Sequence, residues 1–272
     1  MAIPRYIILE KKRGQTPLQV IEGLKQERPE LKNVPASYAG RLDPMAEGKL
    51  LVLLGEECKR KDAYTGLDKE YEVQLVLDLA TDSSDALGIV SYEQKGTHPS
   101  TVLVRTVLRT LIGPYRVPYP TFSSKTVNGK PLFMHTLEGT LSNIVIPEHI
   151  ERIYSTKLLG IQEVKNNELS ALLTRGLEVV PSSNEPSKAL GKDFRQDAIR
   201  DAWHQVLAET EKRTWSIITL RVTCASGTYM RSLAQRLARE LGTTGFALSI
   251  NRTKIGRYQK IGPFGFWKKL YT

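Results

Sequence analysis

A loop containing glycine and proline that leads into five consecutive apolar residues constrains this fold more than any other feature. Pro44 disfavours helical dihedral angles at the preceding residue, so Asp43 is predicted to be extended. Gly40 and Gly48, on either side, permit backbone conformations and close approaches that a side chain would block. The apolar run at residues 50–54 predicts a buried strand. The sequence therefore predicts one carboxylate held on a rigid support.

The remaining hydrophobic pattern predicts strands and helices that do not alternate regularly. Apolar residues that alternate or follow one another predict strands at residues 5–9, 71–79 and 217–224. Apolar residues at helical spacing predict helices after Thr16, at 193–208 and at 228–241. This mixture predicts the α+β class, with helices flanking a central mixed, mostly antiparallel sheet.

Residue types locate the start of the first helix and a loop ahead of a later one. Thr16 followed by Pro17 is typical of an N-cap and the first helical position. The apolar stripe of that helix is predicted to comprise Leu18, Ile21 and Leu24. Residues 181–187 are rich in proline and serine, which predicts a turn or flexible loop ahead of the helix at 193–208.

Arg231 lies in an unfavourable position for a cation. Thr228 is predicted to cap the helix at 228–241, which places Arg231 about three residues inside its N-terminus, where the helix dipole favours acids. Arg231 is therefore predicted to have a specific anionic partner. A solvated arginine that contacts phosphate is the alternative.

Composition indicates a basic protein without an obvious membrane segment. Its 39 Lys and Arg against 29 Asp and Glu give a net charge of +10, which favours a polyanionic partner but leaves a merely basic protein equally open. No run of about 18 apolar residues is present, and the first residues lack the apolar core of a signal peptide. Two cysteines and four scattered histidines predict neither a disulfide framework nor a metal site, and a cytoplasmic location is expected.

Four segments resemble, in the same order, motifs of the TruB-type pseudouridine synthases. They are Gly-x-Leu-Asp-Pro-x-Ala-x-Gly at residues 40–48, Lys-x-Tyr at 69–71, Val-Pro with Phe-Ser-Ser-Lys and Asn-Gly-Lys at 117–130, and Cys-Ala-Ser-Gly-Thr-Tyr-Met-Arg-Ser-Leu-Ala at 224–234. The resemblance implies the pseudouridine synthase fold and isomerisation of uridine to pseudouridine in the T-loop of tRNA. No redox cofactor is implied, because the isomerisation transfers no electron or chemical group to the substrate from another molecule.

The same resemblance assigns catalytic roles to three residues. Asp43 matches the catalytic carboxylate, which starts the reaction either by attacking the substrate covalently or by removing a ribose proton. Arg231 matches the arginine that pairs with that aspartate and would keep it ionised. Tyr71 matches a tyrosine that stacks on the target uracil. Without the resemblance, Asp43 would be read as a loop cap and Tyr71 as a core residue.

Further positions are assigned to RNA binding by the resemblance. Tyr229 and Ile250 are expected to line the pocket. Tyr38 stands where the family usually carries a histidine that engages RNA, and it could stack on a base instead. Five basic residues are candidate phosphate contacts, namely Lys125, Lys130, Lys59, Arg60 and Lys61.

The domain organisation follows from how far the matches extend. Residues 1–272 are predicted to form a single catalytic domain without the C-terminal PUA-type domain of many relatives, and to be monomeric. Residues 165–212 are predicted to be an insertion, either a lid, a partner surface, a spacer or a surface helix packed on the domain. Two other functions remain open: a non-catalytic RNA-binding or RNA-folding protein, and a pseudouridine synthase acting on another RNA.

Overall fold

The computed structural model of the protein describes residues 3–93, 95–178, 195–262 and 264–272. The strands are β1 Tyr6–Lys11, β2 Ala36–Ala39, β3 Ala46–Leu54, β4 Asp68–Leu77, β5 Leu79–Thr81, β6 Val90–Tyr92, β7 Gly113–Pro118, β8 Thr126–Val127, β9 Lys130–Pro131, β10 Glu148–Lys165, β11 Thr214–Cys224, β12 Gly245–Ile261 and β13 Phe264–Leu270. The helices are α1 Pro17–Glu27, α2 Lys61–Thr65, α3 Thr101–Thr110, α4 Leu132–Leu137, α5 Asn166–Glu178, α6 Gln196–Glu209 and α7 Met230–Glu240.

A central sheet organises the molecule in the order β1-β3-β12-β4-β11-β10-β7, with β2 also pairing with β3 and β13 with β12. Strands β3 and β12 run parallel, whereas the other strand pairs of the described residues are antiparallel. Helices α1, α3, α5 and α7 pack on this sheet. The prediction of an α+β fold with a mixed, mostly antiparallel sheet and flanking helices is confirmed.

Strand β3 is buried on both faces, which explains its continuous apolar run. Leu50, Val52 and Leu54 pack against α1 on one face. Leu51 and Leu53 pack on the other face, against a cluster that contains Tyr64 and Tyr271. The strand predicted from residues 50–54 is therefore present, and it begins earlier, at Ala46.

Helix α1 begins as predicted, but its buried stripe differs from the prediction. The Thr16 hydroxyl accepts a hydrogen bond from the Gln19 amide (3.2 Å), and the Gln19 side chain accepts one from the Thr16 amide (2.7 Å), which forms a capping box. The buried residues are Pro17, Val20, Ile21 and Leu24. Leu18 is 46% exposed, so its assignment to the stripe was wrong. It lies about 100° around the helix from Pro17.

The strand predicted at 71–79 is interrupted at Asp78. Strand β4 ends at Leu77, because Asp78 adopts a positive φ of 66° and turns the chain before β5. The buried Asp78 carboxylate accepts hydrogen bonds from the Thr97 amide (2.6 Å) and the Thr243 hydroxyl, and it pairs with Arg213 (3.2 Å). These partners compensate the cost of burying its charge.

The start of α7 corrects the predicted cap. The helix begins at Met230, and its N-cap is Tyr229. The Thr228 hydroxyl instead donates to the Ala225 carbonyl (3.0 Å), so it stabilises the preceding turn. The buried Glu151 carboxylate accepts the Tyr229 amide (2.8 Å) at this helix end. Arg231 is therefore the second helical residue.

Helix α6 lies in the segment predicted as an insertion and packs on the main core. Ile199, Trp203 and Val206 are buried there, and the Trp203 indole donates to the Ala86 carbonyl (3.2 Å). The predicted helix at 193–208 is observed from Gln196; its first residues, Asp193 and Phe194, and the predicted loop at 181–187 lie outside the described residues. No described helix is long and apolar enough to span a membrane.

Candidate active site

The loop that carries Asp43 is fixed at both ends by glycines with positive φ, 81° at Gly40 and 99° at Gly48. A side chain at Gly48 would overlap Asn251 and the backbone of Arg252, so Gly48 allows β3 and β12 to approach closely. Asp43 lies outside helix and strand, and its carbonyl accepts the Ala46 amide (3.0 Å). The loop thus presents the Asp43 side chain from the start of a buried strand.

Asp43 and Arg231 form an ion pair although they are distant in sequence. Arg231 Nη2 lies 2.8 Å from Asp43 Oδ2. The Arg231 side chain is only 4% exposed, whereas that of Asp43 is 37% exposed. The pair therefore consists of an accessible carboxylate fixed by a buried guanidinium.

The guanidinium of Arg231 has further partners that hold it in one orientation. It donates from Nη1 to the Ser83 carbonyl (2.9 Å) and from Nη2 to the Phe122 carbonyl (3.0 Å). Its Nε lies 3.6 Å from Asp85 Oδ2. Burial lowers the pKa of Arg231, but Asp43 and Asp85 outweigh this effect and raise it above its ordinary value.

Asp85 is a site residue that the sequence analysis missed. It is 4% exposed, and it accepts hydrogen bonds from the Ser83 hydroxyl (2.7 Å) and the Leu87 amide (3.0 Å). Burial raises the pKa of its carboxyl, and the neighbouring Arg231 opposes this shift. Its local sequence shows only a polar turn, because the contact with Arg231 is made in the tertiary structure.

The turn that contains Asp85 is supported by residues near α6. The Arg195 guanidinium pairs with the Asp82 carboxylate (2.5 Å) and lies 4.8 Å from the centre of the Phe122 ring. The Trp203 indole binds the carbonyl of Ala86, the residue after Asp85. Arg231 therefore contacts a turn, through Ser83 and Asp85, that Arg195 and Trp203 stabilise.

A cavity of about 390 Å³ opens beside the ion pair. The predicted site residues that line it are Tyr38, Asp43, Tyr71, Tyr229, Arg231, Ile250 and Lys61. The other candidate phosphate contacts, Lys125, Lys130, Lys59 and Arg60, are not among the described residues that line it. Lys130 pairs with Glu138, Lys59 with Glu56, and Arg60 with Glu57, while Lys125 lies over the Tyr119 ring.

Tyr71 and Ile250 form the apolar wall of the cavity on two neighbouring strands. They are 8% and 5% exposed, on β4 and β12. Burial raises the pKa of the Tyr71 hydroxyl. Arg252, which the sequence analysis also missed, pairs in register with Tyr71 and donates to the carbonyls of Lys49 (2.7 Å) and Gly40 (3.0 Å).

Tyr229 contributes to an aromatic cluster at the rim. Its ring makes edge contacts with His149 (5.6 Å) and Tyr119 (6.3 Å), which stack on each other at 4.1 Å. Burial raises the pKa of Tyr229 and lowers that of His149. The cavity therefore combines a carboxylate paired with a guanidinium and flat aromatic and apolar walls, an arrangement that fits a planar base beside a sugar.

A family model and two curated relatives that match this chain all carry the name of a pseudouridine (or pseudouridylate) synthase. The family model "TruB family pseudouridylate synthase (N terminal domain)" matches residues 28–177. The chain is 26% identical over 268 residues to "tRNA pseudouridine synthase B" of Bifidobacterium longum, covering 93% of this chain and 63% of that protein. It is 25% identical over 253 residues to the protein of the same name from Mesoplasma florum, covering 93% and 68%.

Solved structures support the fold. A chain in the structure titled "Crystal Structure of a Cbf5-Nop10-Gar1 Complex" superposes with a TM-score of 0.54 at 17% identity, over 92% of this chain and 48% of that one. Such low identity shows the fold alone. The family model, in contrast, covers more than half of the 272 residues. The chain therefore belongs to the TruB family of pseudouridylate synthases.

Proposed function

We propose that this protein is an RNA pseudouridine synthase that isomerises uridine to pseudouridine in the T-loop of tRNA, at the pseudouridine(55) position. The names of its relatives support an activity on tRNA, although the chain spans about 63% of the length of the first of them. The net charge of +10 suits a polyanionic substrate.

The observation that carries the proposal is the exposed Asp43 carboxylate held 2.8 Å from the buried Arg231 guanidinium in the wall of the cavity. The guanidinium sets a positive charge against the carboxylate, and three further contacts of Arg231 fix the direction of the pair. An oriented carboxylate is the group that either opening step of the reaction requires.

The reaction rearranges the substrate without a net gain or loss of atoms. Asp43 attacks C1′ of the ribose or removes a proton from C2′, and the bond between C1′ and N1 of uracil breaks. The freed uracil rotates so that C5 faces C1′, and a C5–C1′ bond forms. The proton on C5 is lost and N1 gains a proton. In the covalent route the C5–C1′ bond replaces the bond between Asp43 and C1′, which releases the carboxylate. In the other route Asp43 returns the proton it removed to C2′.

The cavity walls suit a uracil that has left its base stack. Tyr71 offers an aromatic face, and Ile250 offers an apolar surface. Base stacking on an aromatic side chain contributes about 1–3 kcal/mol. Tyr38 and Lys61 lie on the cavity wall with the Lys61 ammonium 5.0 Å from the Tyr38 ring centre, where they can contact a flanking nucleotide and its phosphate.

Asp43→Asn tests the proposal most directly. The amide cannot act as nucleophile or base, so pseudouridine formation in a T-arm stem-loop should fall by at least about a thousandfold. The matched control is Asp201→Asn, which removes an exposed carboxylate on α6 and should leave the rate unchanged. Product is quantified in single-turnover reactions, and RNA affinity by fluorescence anisotropy. Substantial activity in Asp43→Asn contradicts the assignment.

Assays of the unmutated protein distinguish the proposed function from the two other functions that the sequence left open. An RNA-binding or RNA-folding protein would bind the stem-loop without forming pseudouridine. A synthase for another RNA would leave the T-loop unmodified but produce pseudouridine elsewhere when total RNA is mapped with and without the protein.

A further inference from the structure

The last 32 residues of the sequence carry positive charge without any acidic residue. From Leu241 to Thr272 the charged residues are Arg252, Lys254, Arg257, Lys260, Lys268 and Lys269. Most of them fall in the β12–β13 hairpin, defined here as residues 256–262 and 264–270. The proposed reaction does not use this hairpin.

One face of the β12–β13 hairpin is packed against the domain. Tyr258 stacks on Tyr154 at 5.5 Å and contacts the edge of Trp267 at 5.3 Å. The Asp68 carboxylate accepts hydrogen bonds from the Tyr258 amide (2.8 Å) and the Tyr154 hydroxyl (3.0 Å). These contacts fix the position of the hairpin relative to the rest of the domain.

The opposite face, here called the open face, consists of three cross-strand pairs. They are Arg257 with Lys269, Gln259 with Phe266, and Ile261 with Phe264. All six residues are exposed, including Phe264 at 76% and Phe266 at 47%. Exposed apolar groups of this size on one surface indicate a contact surface.

The charge pattern on the open face is unfavourable for an isolated protein. Arg257 and Lys269 are directly opposite each other, and like charges in this arrangement destabilise a strand pair. Lys269 lies 4.8 Å from the Tyr271 ring, and within the described residues neither cation has an acidic partner. A polyanion on this face would relieve the repulsion.

We propose that the open face binds unpaired nucleotides of the substrate RNA, with phosphates on Arg257 and Lys269 and bases stacked on Phe266 and Phe264. This inference rests on the proposed function for the identity of the RNA. Basic grooves with aromatic stacking platforms are the usual chemistry of single-stranded nucleic-acid binding. A lipid surface would favour a continuous apolar face, whereas this one begins with two cations and a glutamine.

The position of the hairpin suits a second contact on the same RNA. Strand β12 carries both Arg252 in the cavity wall and the hairpin residues. At about 3.3 Å per residue, Arg257 lies about 16 Å along the strand from Arg252, and Ile261 about 30 Å. A stem-loop with one base in the cavity can therefore reach the open face.

The test measures binding of a fluorescein-labelled T-arm stem-loop by anisotropy. We expect the double variant Phe264→Ala/Phe266→Ala to raise Kd by about tenfold or more. Phe264→Leu/Phe266→Leu keeps apolar bulk without aromatic rings and should show a similar loss. Binding by the leucine variant equal to that of the unmutated chain overturns the stacking claim.

A second pair of variants tests the phosphate contacts. Arg257→Ala/Lys269→Ala should weaken binding and reduce the slope of log Kd against log salt concentration by about 1–2. The control Arg105→Ala/Arg109→Ala removes the same charge from the exposed side of α3 and should keep the original slope. Equal effects of the two pairs overturn the proposal, because they would reflect net charge alone. Thermal unfolding verifies that each variant is folded.

These experiments distinguish failure of the hairpin proposal from failure of the proposed function. Should the unmutated chain bind RNA through the hairpin but form no pseudouridine, the function fails and this inference survives. Should it form pseudouridine while all hairpin variants bind normally, only the inference fails. Phenylalanine-dependent binding to phosphatidylserine vesicles, or self-association in sedimentation, with unchanged RNA binding also overturns it.

Discussion

The guanidinium of Arg231 lies between two carboxylates that differ in accessibility. Asp85 is buried behind it, and Asp43 faces the cavity. With Ser83 and Phe122 carbonyls occupying other N–H groups, rotation of Arg231 would leave several buried polar atoms without partners. The orientation of Asp43 thus depends, through Arg231, on Ser83, Asp85 and Phe122, which are not among the described residues that line the cavity.

Glu151 provides a prediction about pH. Burial raises the pKa of its carboxyl to about 7, although the Tyr229 amide lowers it. Since this value exceeds that of the unfolded chain, the stabilising contribution is complete below about pH 4.5 and is lost as the pH rises through 7. Glu151→Gln keeps an acceptor for the amide without the charge. It should therefore be more stable than the unmutated protein at pH 8, by about 1–3 kcal/mol.

Denaturant unfolding at pH 5 and pH 8 checks this prediction. The quantity to compare is the difference in unfolding free energy between the two proteins, which should grow with pH. Burial lowers the pKa of His149, which lies 3.4 Å from Glu151, so this imidazole is neutral at pH 8 in both proteins. A difference that stays constant with pH would show that Glu151 does not carry the buried charge.

At this scale, local sequence identified the residues that belong to recognisable motifs. Asp43, Tyr71 and Arg231 were predicted, and the structure brings all three to one cavity. Asp85, Arg252 and Glu151 were not predicted, because each acts through a contact with a residue distant in the chain. Lys125 and Lys130 match a motif but do not line the cavity in the described structure, so their contact with RNA stays a prediction.

Strand β12 connects more of the molecule than any local pattern suggests. Its first part pairs with β4 and, in parallel, with β3, and its last part pairs with β13. Parallel contact with β3 begins at Ala46, three residues after Asp43. The position of the catalytic loop candidate therefore depends on the close approach of these two strands at Gly48.

Gly48→Ala should disturb that approach. The new Cβ would overlap Asn251 and the Arg252 backbone at a residue whose φ is +99°, so we expect a loss of at least about 2 kcal/mol in unfolding free energy. The control is Gly23→Ala in α1, where no atom lies within 4 Å of the new Cβ. That change should stabilise the protein by about 0.5–1 kcal/mol. Thermal or denaturant unfolding measures both, and equal effects would contradict the argument.

The elements were predictable where one local rule dominates. The N-cap of α1 at Thr16 and the buried run of β3 follow directly from residue types. Prediction was wrong where tertiary partners decide the outcome. Asp78 leaves the strand because Thr243, Thr97 and Arg213 bind its carboxylate. The prediction that Thr228 caps α7 was wrong because Glu151, on strand β10, accepts a hydrogen bond from the amide of Tyr229 at the helix end.

At the scale of the whole molecule, the excess of positive charge predicts salt-sensitive RNA binding. If about five phosphates are neutralised, the affinity for the T-arm stem-loop should fall roughly 100- to 500-fold between 50 and 200 mM monovalent salt. Anisotropy titrations at four or more salt concentrations provide the slope, with Asp43→Asn as a control that should show the same slope within error. A flat response would contradict an interface dominated by phosphate contacts.

The fold class followed from the mixture of predicted elements, and the family from the order of four motifs. The order of strands in the sheet did not, since pairing between β3 and β12 joins segments from opposite ends of the chain. The single domain over residues 1–272, the insertion at 165–212 and the monomeric state stay predictions.

The contacts of Arg195 and Trp203 have a consequence for protein engineering. Both residues belong to the segment 165–212, which is predicted to be an insertion, and neither lines the cavity in the described structure. Yet they hold Asp82 and Ala86, which flank the carboxylate behind Arg231. Excising residues 195–209 would delete no residue that lines the cavity in the described structure, but it would remove this scaffolding together with the buried side chains of Ile199, Trp203 and Val206. Such a shortened protein is expected to be less stable and to hold Arg231 less firmly.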